Sequence, residues 1–170
     1  MAVSNDDIRM QVEADMNNVI NFLKKKIANR AVSPDGIDSQ IMKADAQFVA
    51  DMLKTVGVNA RVEQSNQEDG TPGAWEVVGS KIVDPSKPTV LLYAHHDVQP
   101  ASQDDGTWQT DPFVGTIKAD RLYGRGASDD GAGIAIHLGA LKALGEDLGV
   151  NIKVFIEGEE EMGSGTFIPF

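Results

Sequence analysis

Cysteine is absent from the 170 residues of this sequence. Disulfide bonds and thiolate metal sites are therefore both excluded, and any bound metal must be held by histidine, aspartate or glutamate. Long hydrophobic runs are also absent, since none approaches the length needed to span a membrane, and the first residues lack the pattern of a signal peptide. We therefore expect a cytoplasmic protein.

Basic residues are few relative to acidic ones. The chain has 15 lysine and arginine residues against 26 aspartate and glutamate residues, which gives a formal net charge of -11. This balance argues against binding to nucleic acid, which requires a basic surface, and against docking on anionic membranes. Hydrophobic residues make up 41% of the sequence. That share is enough to bury the core of one domain of ordinary size.

Three helices are predicted from apolar residues that recur at helical spacing. The first covers residues 4–28, where Ser4 and Asp7 have the spacing of a capping box. The second covers residues 39–56. The third is predicted to start from a Ser128 cap and to end near residue 144.

Four segments have strand patterns instead, with alternating or continuous apolar residues. They are residues 58–63, 75–78, 88–93 and 151–156, and residues 115–118 and 121–123 are expected to pair as a short hairpin. Strands joined to helices by short connections predict an α/β domain of three layers, with helices packed on a largely parallel, mixed sheet. In such sheets, ligands gather beyond the carboxyl ends of the strands.

The first polar cluster, His95-His96-Asp97, directly follows the apolar segment 88–93. Because side chains alternate along an extended chain, His95 and Asp97 should share a face while His96 points away. Asp97 could then accept the second N–H of a metal-bound His95. Taken alone, the motif is equally compatible with exposed histidines in a loop. His137 lies within the predicted third helix beside apolar residues, and we expect it to be structural.

The second cluster is Asp129-Asp130, which follows a glycine-rich turn at the predicted start of the third helix. One carboxylate can bridge two cations with its two oxygens. Taken alone, a capped helix with two solvated acids explains the pattern better. Phosphate binding is a poor explanation because the glycine spacing differs from that of dinucleotide-binding turns and the two acids would repel a pyrophosphate.

The third cluster, Glu159-Glu160-Glu161, follows the predicted strand 151–156. Like charges packed together are costly unless a cation or solvent relieves them. On an open surface they would simply be solvated. Beside a metal, one glutamate can bind the ion while its neighbour accepts a proton from water. All three clusters are predicted to lie at one edge of one sheet, which favours a metal site.

Three segments match a known pattern in their order and mutual spacing. They are LYAHHDVQP at 92–100, LYGRGASDD at 122–130 and EGEEEMGS at 157–164. Together they resemble the carnosinase-like dipeptidases. These belong to the dinuclear zinc exopeptidases, with aminoacylases, succinyl-diaminopimelate desuccinylases and glutamate carboxypeptidases. The resemblance is close over the second half of the chain and loose over the first half.

The resemblance implies a role for each matching residue. His95 would bind one zinc ion, Asp129 would bridge two, and Glu161 would bind the second. Asp97 would orient His95, and Glu160 would be the general base in two-metal hydrolysis of dipeptides or related amides. Mn²⁺ or Co²⁺ could replace zinc. The implied substrate is a small peptide or N-acyl amino acid, and the implied full-length protein is a homodimer.

The sequence departs from the family pattern in three ways. Ala94 replaces a common glycine, and Gly131 replaces a common lysine. The family's two remaining ligands, an aspartate and a distant histidine, have no counterpart here. Residues 1–170 are therefore expected to form the N-terminal part of the catalytic domain, an incomplete zinc exopeptidase-like fold without its C-terminal part or its lid and dimerisation domain. We expect this piece to bind metal weakly, to be inactive alone and to self-associate through uncovered apolar sheet surface.

Two alternatives remain open from the sequence. The chain could be a non-catalytic remnant that serves as a binding or oligomerisation module. Within the enzyme class, it could belong to an aminoacylase or a desuccinylase rather than a dipeptidase, since the residues that hold the substrate's carboxylate or acyl group lie mostly outside these segments.

Overall fold

The computed structural model of this protein describes residues 4–104 and 106–166. Its helices are α1 (Asn5–Asn29), α2 (Gln40–Thr55) and α3 (Gly131–Leu144), with short 3₁₀ turns at Ser33–Asp35 and Glu160–Met162. Its strands are β1 (Asn59–Asn66), β2 (Pro72–Lys81), β3 (Thr89–His95), β4 (Thr116–Lys118), β5 (Arg121–Tyr123) and β6 (Asn151–Glu157). Each helix and strand predicted from the sequence has a counterpart in this set.

Helix starts follow local side-chain chemistry. At α1, the Ser4 hydroxyl accepts a hydrogen bond from the Asp7 N–H (3.1 Å), and the Asp7 carboxylate accepts one from the Ser4 N–H (3.3 Å). The predicted capping box is therefore confirmed. The prediction for α3 was wrong in its cap, which is Asp130 rather than Ser128. The reason is that a turn closed by the Gly131 N–H on the Gly126 carbonyl precedes the helix, so Ser128 lies within that turn.

The main sheet has the strand order β1-β2-β6-β3. Its α/β class, with helices packed on a mixed sheet, is confirmed. The sheet is less parallel than predicted, because only β3 and β6 run parallel while β1 pairs with β2 and β2 with β6 in antiparallel fashion. The short connection 67–71 forces β1 and β2 into a hairpin, which can only be antiparallel. The hairpin pairing also extends both strands beyond the predicted segments 58–63 and 75–78, into the residues between them.

Buried side chains of all three helices and of the sheet form one hydrophobic cluster. It includes Phe22 of α1, Ala46, Val49, Ala50 and Leu53 of α2, Ile134, Leu138 and Leu141 of α3, and Val77, Ala94, Val154 and Ile156 of the sheet. The helices thus cover one face of the sheet. On the opposite face, Leu91 and Tyr93 are 62% and 45% exposed. The described residues therefore make two of the three expected layers.

Two strand ends determine where polar side chains can meet. Because β3 and β6 are parallel and in register, His95 pairs with Glu157 at the same edge of the sheet. The segments that follow both strands consequently start side by side.

In the described part of the chain, no helix is both long and apolar enough to cross a membrane.

Candidate metal centre

Three of the side chains predicted to bind metal meet at this edge of the sheet. His95 ends β3, Asp129 lies just before α3, and Glu161 lies in the 3₁₀ turn after β6. One ligand atom from each lies within 4.8 Å of the others. Among residues 4–104 and 106–166, no other group of three such side chains has this geometry. The fold thus brings together residues that are up to 66 positions apart in the sequence.

The imidazole of His95 is buried between carboxylates. Its Nδ1 lies 3.1 Å from Oδ1 of Asp97, on the same side of the chain as predicted. Its Nε2 lies 3.0 Å from Oδ1 of Asp129 and 3.7 Å from Oε2 of Glu160. Nδ1 is therefore held by Asp97, while Nε2 points towards the other candidate ligands.

The carboxylate of Asp97 is fully buried and joins three segments of the chain. Its Oδ2 accepts hydrogen bonds from the Ser33 hydroxyl (2.7 Å) and the Glu161 N–H (3.1 Å). Its Oδ1 accepts a hydrogen bond from the Glu160 N–H (3.2 Å) and also faces His95. Asp97 thereby positions the predicted base and two predicted ligands at once.

Buried charge shifts the pKa values of both partners. Burial alone would raise the pKa of Asp97, but hydrogen bonds from His95 and Ser33 outweigh it and lower that pKa. Burial alone would lower the pKa of His95, but the hydrogen bonds and negative charges of Asp97, Asp129 and Glu160 raise it to about 9. The site is therefore strongly attractive to positive charge.

Sequence reasoning missed two residues that support the site. Asp130 caps α3 by accepting the Gly133 N–H (3.0 Å), and its other oxygen accepts the His95 N–H (3.2 Å). A side chain at Gly133 would place Cβ 2.3 Å from the Asp130 carboxylate, so glycine is required there. Ser33 lies between the first two predicted helices, where no functional residue was predicted. The spacing of Asp130 and Gly133 matches an N-cap, but nothing in the sequence near Ser33 indicated its contact with Asp97.

The other two histidines lie outside the group of ligands, as predicted. The ring of His96 is fully buried on the core face, with Nδ1 2.9 Å from the Asp45 carboxylate and Nε2 2.7 Å from the Trp75 carbonyl. On α3, the ring of His137 has Nε2 2.8 Å from the Tyr93 carbonyl. Both histidines therefore connect structural elements.

Three further glutamates are buried beside the site, and sequence reasoning did not single out two of them. Glu157 accepts a hydrogen bond from the Tyr93 hydroxyl (2.6 Å), and Glu76 accepts one from the Gly158 N–H (2.8 Å). Glu159 accepts the Thr166 N–H. Burial, together with the charges of Glu157 and Glu159, raises the pKa of Glu76 to about 8. The acidic run after β6 is therefore divided between buried and open positions.

Comparisons with known proteins show the family to which this chain belongs. The family model of Peptidase family M20/M25/M40 matches residues 91–169. The Cys-Gly metallodipeptidase dug1 of Schizosaccharomyces pombe is 36% identical over 174 residues, which cover 96% of this chain and 36% of the relative. The chain belongs to peptidase family M20. It falls in the dipeptidase branch of that family.

Two further comparisons support that branch. Human Beta-Ala-His dipeptidase is 51% identical over 123 residues, covering 68% of this chain and 24% of the relative. The solved structure of the di-peptidase Dug1p from Saccharomyces cerevisiae superposes with a TM-score of 0.86 at 27% identity, covering 98% of this chain and 37% of that one. The chain thus spans well under half the length of the relatives it matches.

The contact between Ser33 and Asp97 gives a first prediction. Ser33→Ala removes a donor from a buried, ionised carboxylate and should lower the free energy of unfolding by about 1.5–3 kcal/mol. Urea denaturation would measure this. Ser86→Ala is the matched control, since its hydroxyl donates to the Asp84 carboxylate on the surface. Its effect should stay within about 0.5 kcal/mol. Equal losses in the two variants would contradict the assigned role.

A second prediction concerns Glu76, whose pKa is raised from 4.5 to about 8 in the folded protein. Between these values the folded state retains a proton that the unfolded state releases, so this contribution to stability is complete below pH 4.5 and is lost as pH rises. Glu76→Gln cannot ionise. From pH 5 to 8, the free energy of unfolding of the unsubstituted protein should therefore fall by roughly 3 kcal/mol more than that of Glu76→Gln. Glu68→Gln, on the surface, should retain the full decline; a parallel decline in Glu76→Gln would disprove the assignment.

Proposed function

We propose that this chain is the N-terminal part of the catalytic domain of a zinc-dependent dipeptidase. The observation that carries the proposal is the convergence of His95, Asp129 and Glu161, with the Asp97 carboxylate behind them. The share of the relatives that the chain covers, 36% of dug1, supports a longer protein that completes the domain and adds a lid or dimerisation domain.

The donor set fits zinc. Imidazole nitrogen and carboxylate oxygen are the ligands that zinc takes when cysteine is absent. The carboxylate of Asp97 holds Nδ1 of His95, which leaves Nε2 free to bind a metal on the side of Asp129. We propose that Asp129 bridges two ions and that His95 and Glu161 each hold one of them. The same donors would accept Mn²⁺ or Co²⁺.

The proposed reaction is hydrolysis of a peptide bond. Glu160 is half exposed, and its Oε2 lies 3.7 Å from Nε2 of His95, so it can reach a water molecule at the group of ligands. Glu160 would take a proton as the water oxygen bonds to the carbonyl carbon, and would return it to the amine as the C–N bond breaks. Bound zinc would supply Lewis acidity that polarises the carbonyl and acidifies the water.

The proposed substrates are dipeptides. Relatives of this chain are named for Cys-Gly and Beta-Ala-His, both dipeptides. An N-acyl amino acid carries the same kind of amide bond and is the second substrate class to test. The net charge of -11 does not favour nucleic acid or anionic membranes as partners. We further propose a cytoplasmic location and a homodimeric full-length protein.

Metal titration tests the proposed ligands. By isothermal calorimetry, the 170-residue chain should bind Zn²⁺ or Co²⁺ weakly, because it carries only part of a two-metal ligand set. Asp129→Asn and Glu161→Gln should weaken binding by more than the roughly 10–100-fold that loss of a residue behind a ligand costs. The matched control is His137→Gln, which removes an imidazole outside the site. If Asp129→Asn binds the metal as tightly as His137→Gln does, Asp129 is not a ligand.

Hydrolysis assays complete the test. The 170-residue chain should show little or no turnover of dipeptides. A longer protein that carries this sequence should hydrolyse Cys-Gly or Beta-Ala-His in preference to N-acetylated or succinylated amines. Robust turnover by the chain alone would contradict its proposed incompleteness. Failure of the longer protein on every dipeptide would favour the non-catalytic remnant, whereas a preference for acylated substrates would favour an aminoacylase or desuccinylase.

Self-association of the chain is a separate prediction. Leu91 and Tyr93 lie exposed on the face of the sheet that no described helix covers. Contiguous apolar surface of this kind favours association. Sedimentation velocity should therefore detect dimers or larger species, and Leu91→Thr with Tyr93→Thr should shift them towards monomer. Met10→Gln, at an exposed site on α1, should not. A clean monomer at high concentration would refute the prediction.

A further inference from the structure

A buried charged network lies behind the candidate metal centre, on the opposite side of β3. Lys26 of α1 and Asp45 of α2 are both almost completely buried, and Nζ of Lys26 lies 2.9 Å from Oδ2 of Asp45. The amide of Asn29 donates to the other oxygen of Asp45 (2.7 Å). Lys26 and Asp45 both contact His96, and Asn29 is linked to it through Asp45.

His96 is anchored at four points by four different elements. Its carbonyl accepts a hydrogen bond from Lys26 of α1, and its N–H donates to the Glu157 carbonyl of β6 (2.8 Å). Its ring lies between the Asp45 carboxylate of α2 and the Trp75 carbonyl of β2. Both the backbone and the side chain of this residue are therefore fixed.

The position of the His96 ring requires glycine at residue 158. A Cβ atom on Gly158 would lie 2.4 Å from the Trp75 carbonyl oxygen and 2.9 Å from Nε2 of His96. Glycine at 158 thus permits the His96 ring to reach Trp75. The contact is part of how β2, β3 and β6 meet at the edge of the sheet.

Burying the charges of Lys26 and Asp45 costs solvation free energy, which argues that they hold neighbouring residues in position rather than stabilise the fold. Apolar residues of similar volume often replace a buried ion pair without loss of stability. Burial alone would raise the pKa of Asp45, but the charge of Lys26 and the hydrogen bonds from His96 and Asn29 outweigh it and hold that pKa below its usual value. Hydrogen bonds have fixed directions, whereas apolar contacts do not, so an ion pair specifies the position of His96 more narrowly.

We propose that Lys26 and Asp45 are positioning residues of the candidate metal centre, which fix His96 and thereby set the directions of His95 and Asp97. The inference rests on the function proposed above. Successive side chains in extended backbone point to opposite sides, so a residue held rigidly on the core side determines where its two neighbours point. Lys26 holds the carbonyl of the peptide that leads into Asp97, and the Glu157 carbonyl holds the N–H of the peptide that follows His95.

Imidazole NMR tests this without metal or turnover. The chain has 3 histidines, so proton–nitrogen correlation spectra resolve each ring. In Lys26→Met and Asp45→Asn, the exchange-protected ring proton that His95 shares with Asp97 should broaden or shift markedly. The signals of His137 should stay in place and serve as an internal reference. Unchanged His95 signals in both folded variants would overturn the proposal.

A matched core variant separates positioning from general loss of stability. Val49 lies on the same helix as Asp45 and is fully buried, and its apolar side chain can form no hydrogen bond or ion pair with the network. Val49→Ala should destabilise the protein without moving the His95 signals. If Val49→Ala shifts them as much as Asp45→Asn does, the network has no special role. If Asp45→Asn does not fold, Asn29→Ala can replace it, because Asn29 is partly exposed and its loss should disturb the network less. The His95 signals should then shift by a smaller amount.

Cobalt affinity provides the second measurement. Lys26→Met and Asp45→Asn should weaken Co²⁺ binding by about tenfold or more, as loss of residues behind metal ligands does, while Val49→Ala should not. If the unsubstituted chain binds no cobalt, the proposed metal centre fails, yet the NMR comparison still decides whether Lys26 and Asp45 position His95. Unaltered cobalt affinity in both network variants would count against the proposal.

Discussion

The hydrogen bonds to the buried carboxylate of Asp97 are the interaction on which the rest of the site depends. A buried carboxylate is costly unless it is paired, because an acceptor without a donor loses more free energy than an ordinary hydrogen bond contributes. Its donors are the Ser33 hydroxyl and the N–H groups of Glu160 and Glu161, with the His95 ring on the same oxygen as Glu160. Satisfying this single side chain therefore draws together the end of β3, the turn after β6 and the segment after α1.

That arrangement requires the parallel pairing of β3 with β6. In register, the pairing places His95 beside Glu157, so that both outgoing segments begin at one level. The Asp130 carboxylate then ties the start of α3 to the same point through the His95 N–H, which sets Asp129 beside the imidazole. The helices contribute from the other face of the sheet, where Lys26 and Asp45 fix the residue between His95 and Asp97.

Acidic residues serve two purposes around this edge. Some are open and able to bind a cation, whereas Glu76, Glu157 and Glu159 are buried and hydrogen-bonded to the surrounding chain. The pKa of His95 is raised by the hydrogen bonds and negative charges of Asp97, Asp129 and Glu160, so the centre would favour cations over anions. For a member of peptidase family M20, this pattern is compatible with the proposed amide hydrolysis, which would need both metal ligands and a base.

The sequence by itself determined the helices, the strands and the residues that meet at the site, because apolar periodicity and short motifs are local properties of the chain. It also determined that His96 points away from His95, since alternation along a strand is local. Only the tertiary structure decided that one strand pair is parallel, that the helices cover one face, and that Ser33, Asp130 and Lys26 support the site. These features depend on contacts between segments that are distant in the sequence. Such contacts form because apolar side chains must be buried and buried polar groups need partners, and no local pattern encodes them.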